Sequence, residues 1–119
     1  MKAHSLVSAG LFKTVADAIV GSSRALNMTA NGTTQTTATA LTSGINVVNT
    51  VGAGGSAILL NEGAARITVC SAGANPLLVF PPLGGSMNAV VNASVAVPVG
   101  KVAQFLSING AEWFAIVSA

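Results

Sequence analysis

Residues 105–117 read FLSINGAEWFAIV, two apolar runs rich in aromatic and β-branched residues on either side of Asn109-Gly110. Asn-Gly supplies both positive-φ residues of a type I′ turn, so the stretch predicts a β-hairpin of 102–108 against 113–117. The same alternation of short apolar runs and turn residues extends back to about residue 45. It predicts strands over 45–51, 56–60, 66–71, 77–80, 87–91 and 94–97. Gly52 to Gly55, Asn61-Glu62-Gly63, Gly73, Gly84-Gly85 and Gly100 separate them. The 52–55 stretch reads as a glycine-rich hairpin turn. Pro81-Pro82 cannot lie inside a central strand, so the chain must turn after Phe80. Short strands with no helical crossovers exclude a parallel α/β sheet. They predict an all-β fold, a single antiparallel β-sandwich or barrel of jelly-roll-like type. Leu77-Leu78-Val79-Phe80 is apolar at consecutive positions, which predicts burial on both faces, one of them at a subunit interface.

Two zones precede these strands. In the first, residues 1–27, Leu11, Phe12, Val15, Ala16, Ala18, Ile19 and Val20 fall on one arc at helical spacing, and Lys13, Thr14 and Asp17 on the other. This predicts an N-terminal arm or short amphipathic helix, stopped by Gly21-Ser22-Ser23. A helix of about ten residues is marginal alone, so it must dock on something. The second zone, residues 28–44, carries seven Thr between positions 29 and 42. Asn31-Gly32 marks a turn, and TTQTTATAL after it predicts an extended strand or arm, because Thr is β-branched. The domain division is therefore 1–27 for the arm and 28–119 for the β domain.

Composition narrows the function. The chain has 119 residues, 51% of them hydrophobic and 7% charged, with five basic and three acidic side chains. A folded monomer of this mass would expose about 5,900 Å² by the usual scaling, roughly one charge per 700 Å². So sparse a charge favours association. The five basic residues, Lys2, Lys13, Arg24, Arg66 and Lys101, are scattered, which argues against nucleic acid as a partner. Mean hydropathy is high, at +0.71, yet Asn, Gly, Thr and Pro break every apolar stretch below the ~20 residues of a spanning helix. Membrane insertion is not expected. Lys13 and Asp17 also interrupt the apolar run of a secretory leader.

No constellation carries chemistry. Cys70 is the single cysteine and His4 the single histidine, so neither a disulfide nor a multi-cysteine metal site is expected. Asp17, Glu62 and Glu112 form no local pair. The GAGGS run at 52–56 lacks the Lys-Ser/Thr of a phosphate loop. Phe80, Phe105, Trp113 and Phe114 lie in apolar strands and read as packing residues. The expectation is a protein that is not an enzyme, with no cofactor and no metal.

TTQTTATALTSGINVVNTVGAGGSAILL, then ITVCSAGANPLLVFPPLGG, then VPVGKVAQFLSINGAEWFAI, spanning residues 29–118, resembles a class of small tailed-bacteriophage virion proteins. The shared pattern is a Thr/Ala-rich lead-in, a strand ending at Gly73-Ala74-Asn75, and an apolar strand running into Val79-Phe80-Pro81. Glycines, an Asn, a Phe-containing strand and a Trp-containing strand follow. The resemblance implies a capsid decoration (cement) protein, a homotrimer that bridges copies of the major capsid protein on the virion's outer surface after assembly in the bacterial cytoplasm. Leu11, Phe12, Val15 and Ile19 of the arm and Thr36 and Thr37 of the Thr-rich segment are the expected capsid or subunit contacts. A trimeric tail or head fibre, or a receptor-binding carbohydrate module, is the alternative.

Overall fold

The computed structural model describes residues 24–60 and 65–119. The fold is all-β, with eleven strands among the described residues: β1 (Arg24–Ala30), β2 (Thr39–Leu41), β3 (Ile45–Val51), β4 (Ser56–Leu59), β5 (Ala65–Ser71), β6 (Leu77–Phe80), β7 (Ser86–Met87), β8 (Val90–Val91), β9 (Val95–Val97), β10 (Val102–Ser107) and β11 (Glu112–Val117). The expected strands from residue 45 onward appear within a residue or two, save that 87–91 is broken. Residues 24–27, expected in the arm, belong to β1. The arm itself, including Leu11, Phe12, Val15 and Ile19, lies outside the described residues.

The strands form a seven-stranded sheet, ordered β1-β3-β5-β10-β11-β7-β8, and a four-stranded sheet, ordered β2-β4-β6-β9. From β1 to β6 the chain changes sheet at every step. β1, β3 and β5 therefore pair in parallel on one side, and β2, β4 and β6 in parallel on the other. Arg24 stands beside Ile45 and Ile45 beside Thr68, a step of 21 residues and then of 23. The result is solenoid-like, three two-strand coils stacked along one axis. This corrects the antiparallel jelly-roll expectation. The crossover that a parallel pair requires is here a strand of the opposite sheet, not a helix.

The corners stack as well. Residues 52–55, expected to be a hairpin turn, carry the chain from one sheet to the other, closed by the Gly55 amide donating to the Gly52 carbonyl at 2.9 Å. Coil joins coil there. The Ser56 amide donates to the Gly32 carbonyl and the Leu78 amide to the Gly55 carbonyl, each at 3.0 Å. Ser56 Oγ adds a bond to Gly32, and Asn75 Nδ2 donates to the Val51 carbonyl at 2.8 Å. The Thr-rich segment is no extended arm. Residues 33–37 turn, and of the stretch 33–41 expected to be extended only Thr39–Leu41 is strand.

After β6 the chain changes habit. β9 runs antiparallel to β6, β10 antiparallel to β5, and β11 antiparallel to β10, so both parallel stacks are covered at that end. The β10–β11 hairpin forms as expected, but not through a type I′ turn. Ser107 pairs with Trp113, leaving a longer loop in which Gly110 has φ +85 and Asn109 does not have positive φ. Asn109 works through its side chain, with Oδ1 accepting from the amides of Ala111 and Glu112 at 3.0 and 2.9 Å. The positive-φ pair that a type I′ turn needs sits instead at Asn88 (+51) and Ala89 (+70), between the paired residues Met87 and Val90. That turn splits the expected 87–91 strand.

One core joins the two sheets. β3, β5, β10 and β11 point Val48, Ile67, Val69, Phe105 and Trp113 inward, and β4, β6 and β9 contribute Leu59, Leu77, Val79 and Val97. The burial pattern of β10 alternates residue by residue, as the two-residue period of a strand requires.

Candidate interaction surface

The residues that alternate with the core positions form the outer face of the seven-stranded sheet. Register aligns them in rows: Val47, Cys70 and Val102; Ile45, Thr68, Gln104 and Ile116; Arg66, Leu106 and Phe114. Side chains in such rows stand close enough on adjacent strands to form a continuous surface. This one is mostly apolar. Phe114 is 52% exposed and Ile116 63%, so covering the rest of each would contribute roughly 1 kcal/mol. At one margin, Ala65, Arg66, Leu106, Ser107, Ile108 and Phe114 bound an open depression of about 610 Å³, whose lining is far more apolar than polar.

At the β7–β8 end Leu83, Val90 and Val91 are all more than half exposed, Val90 and Val91 on opposite faces of the short edge strand β8. Asn92, at φ +57, ties this end together: its Oδ1 accepts from the Gly84 amide at 2.8 Å and its own amide donates to the Gly85 carbonyl. Gln35 ties the Thr-rich turn to the same corner, with Nε2 donating to the Pro81 carbonyl at 2.9 Å and to Asn92 Oδ1 at 3.1 Å.

Thr36 and Thr37 are exposed on that turn. The Thr37 hydroxyl is engaged locally, 2.7 Å from Thr34 Oγ1 and accepting from the Thr34 amide. The structure thus places these two threonines on a tied-down corner, apart from the outer sheet face. Leu106 and Ile116 of that face were not singled out from the sequence, and Phe114, expected as a packing residue beside Phe105 and Trp113, is half exposed on it. The signal was present in Phe114-Ala115-Ile116-Val117, which is apolar at consecutive positions just as 77–80 is.

Among the described residues no three His, Cys, Asp or Glu side chains come together to hold a metal ion. His4, Asp17 and Glu62 lie outside them. Trp113 is 1% exposed and so offers no stacking face to a ligand. Nor is any helix among the described residues long and apolar enough to cross a membrane. No family model, curated protein or solved structure matches the chain.

Proposed function

We propose that this chain is a structural virion subunit, a capsid decoration protein of a tailed bacteriophage that bridges copies of the major capsid protein as a homotrimer on the outer shell. The supporting observation is the balance of the surface. Nine large apolar side chains are exposed, against three charged ones, Arg24, Arg66 and Glu112, with Lys101 half-buried, within the described residues. The apolar ones lie both on the outer face of the seven-stranded sheet and at its β7–β8 end. The β7–β8 end, with Leu83, Val90 and Val91, is the proposed shell and subunit contact. It works by apolar burial, and a trimer presents it three times with high effective concentration. No step of chemistry is involved.

The stacked parallel coils favour a second reading, a module of a trimeric tail or head fibre, because such a stack extends along one axis. Where a tagged copy sits on the particle, shell or tail, separates the two.

The test compares particles carrying the protein, particles lacking it, and particles offered the Val90→Glu/Val91→Glu variant, all heated until DNA escapes. The wild type raises the release temperature, and the variant neither binds nor protects. Attachment changes little with salt, since few charges take part. A monomer in light scattering, together with equal release temperatures in all three samples, overturns the proposal.

A further inference from the structure

The sequence contains two Asn-Gly dipeptides, Asn31-Gly32 and Asn109-Gly110. In such a pair the glycine nitrogen can attack the preceding carboxamide, because glycine has no side chain to screen its amide. The fold treats the two pairs differently.

At Asn109-Gly110 the reacting groups are engaged. Asn109 Oδ1 accepts from the amides of Ala111 and Glu112 at 3.0 and 2.9 Å, which fixes the carboxamide. The Gly110 amide, the attacking group, is buried and donates to Ser107 Oγ at 2.8 Å. At Asn31-Gly32 the same groups are idle. Asn31 is exposed, and among the described residues neither its carboxamide nor the Gly32 amide takes part in a hydrogen bond. The main chain around them is nonetheless held. The Asn31 amide donates to Thr39 Oγ1 at 3.2 Å. The Gly32 carbonyl accepts from the Ser56 amide at 3.0 Å and from Ser56 Oγ at 2.9 Å. Packing also keeps position 32 a glycine, since a Cβ there would collide with the Thr37 carbonyl.

We propose that Asn31 is a site of spontaneous conversion to isoaspartate, and that the conversion breaks the corner tie between the first and second coils. Base removes the Gly32 amide proton, the nitrogen bonds to Asn31 Cγ, and Nδ2 leaves with a proton as ammonia. Water then opens the cyclic imide. Cleavage between the Gly32 nitrogen and Cγ leaves aspartate. Cleavage between that nitrogen and the main-chain carbonyl carbon of residue 31 leaves isoaspartate, with the chain running through Cβ and Cγ. The main chain is then longer by one carbon, about 1.5 Å. Thr39 anchors it on one side and Thr37 blocks Gly32 on the other, so the Gly32 carbonyl moves off Ser56. Bonds of 2.9 and 3.0 Å do not survive such a displacement. Ser56, fully buried, keeps only the longer bond from Oγ to the Thr34 carbonyl at 3.3 Å. The inference does not rest on the virion reading. It gives each subunit a slow clock set by its age.

The test ages the folded wild-type protein in mildly alkaline buffer and maps both dipeptides by mass spectrometry, with fragmentation that separates isoaspartate from aspartate. Asn31 is expected to convert about tenfold faster than Asn109 or more, as free and fixed reacting pairs differ, and the two rates to converge in concentrated urea. Aged chains, separated by their added negative charge, are then compared with fresh protein by hydrogen exchange at the Ser56 amide. Exchange is expected to be about tenfold faster in the isoaspartate form, a local opening at this corner. It should stay unchanged in fresh Asn31→Asp protein, which has the charge without the extra carbon. Asn31→Gln, aged identically, should keep Ser56 protected, because its longer side chain closes the ring slowly. Equal rates at the two dipeptides in the folded chain overturn the proposal, as does the absence of isoaspartate at position 31. So does an isoaspartate form whose Ser56 amide exchanges like that of fresh protein, or an equal acceleration in Asn31→Asp.

Discussion

The indole N–H of Trp113 donates to the carbonyl oxygen of Gly110 at 3.0 Å, and both residues are buried. From the other strand, Ser107 Oγ accepts from the Gly110 amide at 2.8 Å. The two strands of the hairpin thus grip one glycine by both of its backbone groups. Removing either grip strands a buried polar group. Trp113→Phe is expected to cost about 2–3 kcal/mol, the unpaired carbonyl adding to the volume lost from the core. Urea denaturation measures it, and a change below about 0.5 kcal/mol would show that the bond is not structural.

Ala89 occupies a left-handed position at φ +70 in the β7–β8 turn, and its side chain is exposed. An L-residue there costs about 1–2 kcal/mol, part of which glycine returns through its freer unfolded chain. Ala89→Gly should therefore stabilise the protein by about 0.5 kcal/mol. A lowered thermal midpoint contradicts this account of the turn.

Gly73 sits where one coil passes over the next. A Cβ there would lie 2.7 Å from Val51 Cγ2 and 2.8 Å from the Val51 amide nitrogen, whereas at Gly52 it would meet nothing within 4 Å. Gly73→Ala is expected to destabilise by about 1–3 kcal/mol through overpacking, and Gly52→Ala by less than about 0.5. Equal effects in parallel melts would argue against close stacking of the coils.

Asn46 is fully buried, with Nδ2 donating to the carbonyls of Ser43 at 2.7 Å and Thr68 at 3.3 Å. In the Asn46→Asp variant, desolvation and the facing carbonyls raise the carboxyl's folded pKa above its unfolded value. Stability is then retained below the unfolded pKa of about 4 and lost as pH rises through the folded one. The variant should be near wild type in acid and weaker by about 3 kcal/mol at neutral pH. Denaturation at the two pH values checks it, and a pH-independent loss refutes it.

Strand positions were legible because period-two burial and turn residues are local signals. Strand direction was not. Residues 52–55 have the composition of a hairpin turn, yet whether such a segment reverses within a sheet or crosses to the other depends on what it stacks upon, here Gly32 and Leu78. The coils also share a length more than a sequence, so no repeat announced them. Asn109-Gly110 misled for a related reason: the side-chain bonds from Asn109 and the Trp113 clamp select a longer loop than the dipeptide alone prefers. For the candidate site, Thr36 and Thr37 look free on paper, and only the structure shows a hydroxyl spent on its own turn. Phe114 reads as packing and Ile116 is passed over, because an apolar run does not say which of its faces is covered.

Parallel coils that meet only their neighbours do not share stability evenly. Among the described residues, the coil made by β1 and β2 has a hydrogen-bonded strand neighbour on one side only, whereas β5 lies between β3 and β10. Amide protons should therefore exchange in an ordered sequence along the stack, fastest in β1 and β2 and slowest along the seam where β5 meets β10. The molecule would loosen from its first coil while the opposite end stays shut. A load arriving through the residues before Arg24 would be absorbed one coil at a time, with the later strands still holding whatever they have bound.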